Sequence, residues 1–377
     1  MYKKASAWVL LFLLNIGMAW LIIAGVKCIL TDNYSIDRES SSYAVSGWEK
    51  ADEFLRLSFP AAENAIELRT HLSLLTGNQR VGSVYLSDER LLEEPEKLNS
   101  SQLIRTACHI NEFYQTYSVP TCLAAIPSAS EIYTDDLPEH AVVPSQLEHL
   151  DDFYELIDTK IRVVNAFHIL STFKDDYIFC RTDTKWTSYG AYCVYRSLIN
   201  KMGYYPISYD SFSITNVKND FRGDLYQKCL YSRVVPDILD VYTCKNHRTI
   251  TSMNTFNGNS WQECSLYNYD ALENDSNTSF YMGGTGMFTR IETDAENEKK
   301  LLILKDSLCD NMLPFLIQHY TQVDIVDIEQ IDRPVSELTE LYQYNQFLIL
   351  CDADTLEKEE AFSFLIEKND NGGNKVD

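Results

Sequence analysis

The chain has 377 residues, 45% of them hydrophobic and 23% charged, with only 14 Gly and 10 Pro, a balance that excludes collagenous, disordered and disulfide-knot architectures. Asp and Glu outnumber Lys and Arg by 55 to 32, and the formal charge of -23 repels phosphate backbones, so nucleic acid is not an expected partner. At about 150 residues per domain the length allows roughly two to three units, enough for an enzyme-sized core.

From Ala5 to Val26 no residue is charged. As a helix this run spans about 33 Å, against about 30 Å of bilayer hydrocarbon. It is longer than the apolar region of a cleaved signal peptide and is not followed by an Ala-x-Ala site. Lys3 and Lys4 precede it, and only Lys27 follows before an acidic stretch. The positive-inside bias then predicts a cytoplasmic N-terminus and a single membrane anchor over residues 1–30, with the rest of the chain outside the cell membrane.

Residues 31–75 read as a polar, Ser-rich stalk and a juxtamembrane helix interrupted at Pro60. Residues 76–203 then alternate: a strand at Val81–Ser87, a helix at Leu103–Tyr117, a strand at Val119–Pro127, a helix at Leu147–Ile161, strands at Val163–Leu170 and Tyr177–Cys180, and a helix at Ser188–Met202. Residues 204–280, rich in Tyr, Asn, Ser and Thr, read as a β-rich insertion. Residues 281–367 resume the alternation with a strand at Leu301–Lys305, a helix at Leu308–Tyr320, and strands at Val323–Ile328 and Phe347–Cys351. Residues 368–377 form a polar tail. Helices alternating with apolar strands imply an α/β fold in which a mainly parallel sheet is covered on both faces.

Ten cysteines show no paired spacing that would hold zinc. Cys122 and Cys351 sit in apolar runs as buried thiols, whereas Cys229, Cys244 and Cys264 lie in a polar, aromatic-rich stretch that suits an external disulfide. His71, His109, His140, His149 and His247 fall on helices or polar loops without ligand spacing. Neither a metal nor a cofactor is expected. The 24 Tyr residues have two readings, a sugar-stacking surface and ordinary core packing.

Sites on parallel sheets form past the carboxyl ends of strands, and two such places carry chemistry. In the first, a strand ends in Thr182-Asp183-Thr184-Lys185-Trp186-Thr187 before a helix. In the second, Leu301–Lys305 runs into Asp306-Ser307, where a hydroxyl is presented at a strand-to-helix turn. The plainer reading of the second is an N-cap and nothing more.

Taken with Gly82-Ser83-Val84-Tyr85-Leu86, Gly190-Ala191-Tyr192, Phe221-Arg222-Gly223-Asp224-Leu225-Tyr226, Gly283-Gly284-Thr285 and Leu313-Pro314-Phe315, these segments resemble the DHHW family of Gram-positive membrane-anchored proteins. That family is itself similar to SGNH-hydrolase-like proteins that O-acetylate alginate and other exopolysaccharides. The resemblance implies an SGNH-like three-layer α/β/α fold, a cell-surface polysaccharide as substrate or ligand, and a membrane-bound O-acyltransferase as partner. It also implies a Ser-His-Asp triad, with Ser307 as nucleophile and Asp183 as the acid. Lys185 stands at the histidine position, next to Trp186. Thr285, after Gly284, stands where relatives carry an Asn suited to an oxyanion hole.

Deprotonating a lysine side chain of ordinary pKa, about 10.4, costs about 4.6 kcal/mol near pH 7 at about 1.36 kcal/mol per unit. The degenerate triad therefore implies impaired acyl transfer, with a Lys185–Asp183 ion pair shaping the loop. Two alternatives stay open: an active acetyltransferase or esterase in which Lys185 or a distant histidine such as His168 activates Ser307, and a structural envelope protein. His319, about three helical turns past Ser307 and so about 18 Å away, is disfavoured as that histidine.

Overall fold

The computed structural model describes residues 62–366 apart from 96, 142, 246, 247, 273–279 and 284. The expected anchor over residues 1–30, most of the 31–75 segment with Pro60, Gly284 and the expected tail lie outside the described residues. Among the described residues no helix is long and apolar enough to cross a membrane.

Among the described residues eight strands form the central sheet, in the order β5 (Arg162–Val163), β4 (Thr121–Ile126), β13 (Gln346–Asp352), β11 (Lys300–Lys305), β12 (Gln322–Asp327), β10 (Phe288–Thr293), β8 (Ile250–Phe256) and β9 (Trp261–Glu263). Five of them run parallel: β5, β4, β13, β11 and β12. The other three, β10, β8 and β9, continue the sheet antiparallel. A small sheet of β1 (Arg80–Val81), β2 (Val84–Leu86) and β3 (Leu91–Glu93) and a hairpin of β6 (Phe212–Phe221) and β7 (Asp237–Cys244) stand apart.

Strand residues alternate between two apolar clusters, as buried parallel strands must when helices cover both faces. Cys122, Ala124, Leu301, Ile303, Leu348 and Leu350 pack with Ala191 and Leu198 of the helix Ser188–Lys201 and with Phe315. Leu123, Ala125, Leu302, Leu304, Ile349 and Cys351 pack with Ala107 and Phe113 of the helix Ser100–Tyr117 and with Phe153 and Phe362. The expected mainly parallel sheet between helical layers is what the chain forms.

Four local expectations are corrected. Val81–Ser87 is not one strand, because Gly82 at φ 63° turns the chain back and makes β1 and β2 a hairpin. Val163–Leu170 is mostly helix: the Asn165 side chain accepts the His168 N–H and caps a helix over Ala166–Thr172. Leu308–Tyr320 is not one continuous helix but a 3₁₀ turn at Ser307–Met312, an α-turn at Leu313–Leu316 and a second 3₁₀ turn at Ile317–His319. Pro314 lacks the N–H that an unbroken ladder needs. Tyr177–Cys180 is not a strand, since Phe179 makes only an isolated bridge to Trp186. Within the β-rich segment 204–280, β8 and β9 join the central sheet through β10.

Among the described residues no disulfide joins Cys229, Cys244 and Cys264. Cys229 is buried against Leu225 and Tyr231, and its thiol donates to the Leu225 carbonyl. Most aromatics are packed inside, as around Phe315, which has Tyr192, Tyr195, Phe212 and Tyr242 within 5.1–5.4 Å.

Candidate active site

Ser307 follows Asp306 directly beyond the carboxyl end of β11. The turn is set by Asp306, which is 2% exposed: one carboxylate oxygen accepts the Leu308 N–H at 3.1 Å and the other accepts the Asp352 N–H at 2.6 Å. This stitches the ends of β11 and β13 and leaves Ser307 half-buried.

The segment 182–187 is held from three sides. Asp237, fully buried at the start of β7, accepts the Tyr177 hydroxyl at 2.5 Å, the Arg181 N–H at 2.6 Å, the Thr182 N–H at 2.8 Å and the Thr182 hydroxyl. Phe221-Arg222-Gly223-Asp224 folds over the turn. Gly223 donates its N–H to the Thr182 hydroxyl at 3.0 Å, and Asp224 donates its N–H to Asp183 Oδ2 at 3.4 Å. A Cβ on Gly223 would lie 2.2 Å from Asp183 Oδ2, so only glycine allows this approach. On the third side the Trp186 indole donates to the Leu308 carbonyl at 2.8 Å, and the Asn311 amide donates to the Trp186 carbonyl at 3.0 Å.

These last two bonds bring the two predicted segments together. Lys185, Trp186 and Ser307 line one cavity of about 20 Å³, room for about one water molecule, together with Cys180, Ser188, Asp240, Tyr281, Asp310 and Asn311. Asp183 is fully buried behind the wall, and its contact with Lys185 runs to the Lys185 backbone N–H at 3.2 Å. Thr285 does not line the cavity, and its carbonyl accepts the Gln330 side-chain amide at 3.1 Å. Gly284 is outside the described residues.

Neither alternative histidine comes near. His168 is exposed on the helix after β5, a strand that lies three places, about 14 Å, along the sheet from β11, and it does not line the cavity. His319 is 9% exposed, and its Nε2 pairs with the Tyr195 hydroxyl at 2.7 Å.

The charges around Ser307 are uneven. Lys305 is 1% exposed, with its ammonium 2.6 Å from Asp310 and 3.5 Å from Asp327. Burial opposes its charge, but Asp310 and Asp327 outweigh burial and hold its pKa above the usual lysine value. Burial pushes Asp310 up to about 6 against the pull of Lys305 and Lys185. The Lys185 ammonium also acts on Asp224, whose pKa is raised first by burial and then by Asp183.

Ser307 has a second carboxylate on it. Its N–H donates to Glu329 Oε2 at 3.4 Å, and the other Glu329 oxygen is 3.1 Å from the Lys358 ammonium. Burial opposes the charge on Glu329, but Lys358 and hydrogen bonds from the Ser307 hydroxyl and N–H outweigh it and lower its pKa.

Sequence reasoning missed Asp237, Asp240, Asp310, Asn311 and Glu329. Two carboxylates inside the strand-like Asp237-Ile238-Leu239-Asp240-Val241 were the visible signal, because charges in an alternating apolar strand need a reason.

The family profile described as DHHW protein matches residues 68–326, which is more than half of the chain. The chain belongs to the DHHW family. A solved DHHW family protein from Eubacterium siraeum is 19% identical, with a TM-score of 0.61 over 75% of this chain and 97% of its own. Bacillus cereus PatB1, solved with a sulfonyl adduct, is 20% identical, with a TM-score of 0.63 over 74% and 97%. The O-acetyltransferase domain of Pseudomonas putida AlgJ is 15% identical, with a TM-score of 0.45 over 74% and 93%. No curated protein sequence matches this chain. The first two likenesses show a shared mixed α/β fold with a large, mostly parallel sheet.

Proposed function

We propose that this DHHW protein is an SGNH-like, membrane-anchored extracytoplasmic component of cell-surface polysaccharide O-acetylation, working beside a membrane-bound O-acyltransferase, with acyl transfer at Ser307 impaired. The observation that carries this reading is the residue beside the nucleophile. The wall facing Ser307 offers Lys185 where the family motif has histidine, and that ammonium has Asp310 and Asp224 for neighbours. A protonated lysine accepts no proton from a serine hydroxyl, and general-base help is worth about 10²- to 10⁴-fold. In support, Ser307 lies past the carboxyl end of the central strand β11 and Asp183 accepts the Lys185 backbone N–H at 3.2 Å.

Turnover of 4-nitrophenyl acetate by the full-length protein, corrected for a Ser307→Ala control, tests this. The expected result is slow Ser307-dependent turnover that Lys185→His raises by at least about tenfold. Fast wild-type turnover that Lys185→His leaves unchanged or lowers would overturn the impaired reading and favour an active esterase or acetyltransferase.

A further inference from the structure

The polar wall of the Ser307 cavity contains two oxygens that the fold leaves unused. Among the described residues, Asp240 Oδ1 and Asn311 Oδ1 are both buried without a hydrogen-bond partner, and both residues line the cavity. Asn311 is only 5% exposed, and its amide nitrogen is already committed to the Trp186 carbonyl. Buried acceptors are rarely left unmatched, and each costs about 1–3 kcal/mol when they are. The cavity has room for about one water, and a water has two hydrogens to give and two lone pairs with which to receive. Donation to Asp240 Oδ1 and Asn311 Oδ1 would satisfy both oxygens and leave a lone pair for the Ser307 hydroxyl.

Asp240 is held to this place through its backbone. Its N–H donates to the Tyr281 hydroxyl at 3.3 Å, and that hydroxyl donates to the Asp240 carbonyl at 3.0 Å. Tyr281 also meets the Ser188 hydroxyl at 3.4 Å, which ties β7 to the start of the helix Ser188–Lys201. The carboxylate is left to face the cavity.

We infer that Asp240, through one water held jointly with Asn311, is the proton acceptor for Ser307 in this chain and sustains the residual acyl transfer that remains without a histidine. The inference rests on the proposed acyl chemistry at Ser307. In the step, the Ser307 hydroxyl oxygen bonds to the acyl carbon while the carbonyl π pair moves to its oxygen. The serine proton passes to the water, and a proton of that water passes to Asp240 Oδ1. When the tetrahedral adduct collapses, the leaving alkoxide takes a proton back along the same path, and Asp240 is ionised again.

Burial pushes Asp240 up to about 6, close to neutral pH, where a carboxylate is a more effective base than at its ordinary value. The titratable groups around it are Tyr242, Tyr267, Tyr281, Cys180, Lys185 and Asp310. Burial holds the three tyrosines and Cys180 protonated, which leaves Asp310 and Glu329 as the competing bases. Asp310 is engaged by Lys305; Glu329 receives the Ser307 hydroxyl at rest, but Lys358 and that hydrogen bond hold its pKa below the ordinary carboxyl value, which makes it a weaker base than Asp240.

The test is the rate at which an aryl sulfonyl fluoride labels Ser307 in the full-length protein between pH 4.5 and 8, with Ser307→Ala as blank. The expected wild-type rate rises with pH through a midpoint near 6. Asp240→Asn should lower the plateau about 100-fold and abolish that rise, whereas Glu329→Gln, whatever it does to the rate, should keep the rise and its midpoint near 6. Asn311→Ala should lower the plateau and keep the midpoint. Wild-type labelling that survives Asp240→Asn with its pH profile intact, or loses it in Glu329→Gln, would overturn the inference and leave the acyl reading standing. Labelling absent from wild type but present in Lys185→His would also overturn it alone. Labelling absent from both would sink the acyl chemistry at Ser307 and the inference with it.

Discussion

At the end of β11 the Lys305 ammonium is buried with Asp310 at 2.6 Å and Asp327 at 3.5 Å, while β7 buries an Asp240 oxygen that has no hydrogen-bond partner among the described residues. One region closes its charges on each other and the other leaves a charge open. A buried ammonium survives only because two carboxylates and the Asp306 carbonyl surround it, so its role is to fix the strand end from which Ser307 departs. The open carboxylate does nothing for the fold. A half-buried carboxylate without a counter-charge, in the same cavity as a nucleophile, is what a reactive site looks like, and the difference separates residues that build the site from one that acts in it.

The largest effect is expected from breaking the closed region. Lys305→Met leaves Asp310 and Asp327 facing each other without a cation and should cost about 3–5 kcal/mol in urea unfolding. A cost below about 1 kcal/mol would mean that the cluster does not hold the strand end.

Next comes the packing that joins the two regions. Gly223→Ala puts a methyl 2.2 Å from Asp183 Oδ2, so the carboxylate must move. A loss of about 1–3 kcal/mol and slower Ser307 labelling are expected, measured by thermal unfolding and mass spectrometry. Unchanged labelling would show that Asp183 does not position the Lys185 wall.

In the open region the sign reverses. Asp240 titrates near 6 when folded, against an ordinary 3.8 in the unfolded chain, so the folded state binds more protons between those values. Stability therefore falls as pH rises through about 4 to 6 and stays reduced above it. Asp240→Asn removes that loss. It should stabilise the protein by about 1 kcal/mol at pH 7.5 once solvent screening of this half-buried group is allowed for, with the gain vanishing by about pH 4. A variant that is destabilised at pH 7.5 would show that Asp240 has a structural partner after all.

The smallest effect belongs to Glu329, whose pair with Lys358 is about one-third exposed on one side and 43% on the other. Its lowered pKa contributes stability above the unfolded value that is lost as pH falls through the folded one. Glu329→Gln should cost about 0.5 kcal/mol at pH 7, and the cost should fade in acid and in high salt.

The amino-acid sequence by itself determined the layers. Runs such as Leu301-Leu302-Ile303-Leu304 can be buried on both faces only in a covered parallel sheet, and the apolar spacing of Leu103, Ala107, Ile110 and Phe113 makes one helical face. It also marked Ser307 as a strand-end site, whereas the strand expected before 182–187 is only an isolated Phe179–Trp186 bridge, and the family resemblance tied the two segments together. Tertiary structure alone decided which carboxylates meet which cations. Asp237 lies 55 residues from Thr182, and Tyr281 lies 41 from Asp240, and hydrophobic periodicity says nothing about polar partners so far apart. Burial is encoded in each residue's own chemistry, whereas the pairing of buried charges depends on where folded strands end, so Asp310 and Asp240 look alike in sequence and differ only in the fold.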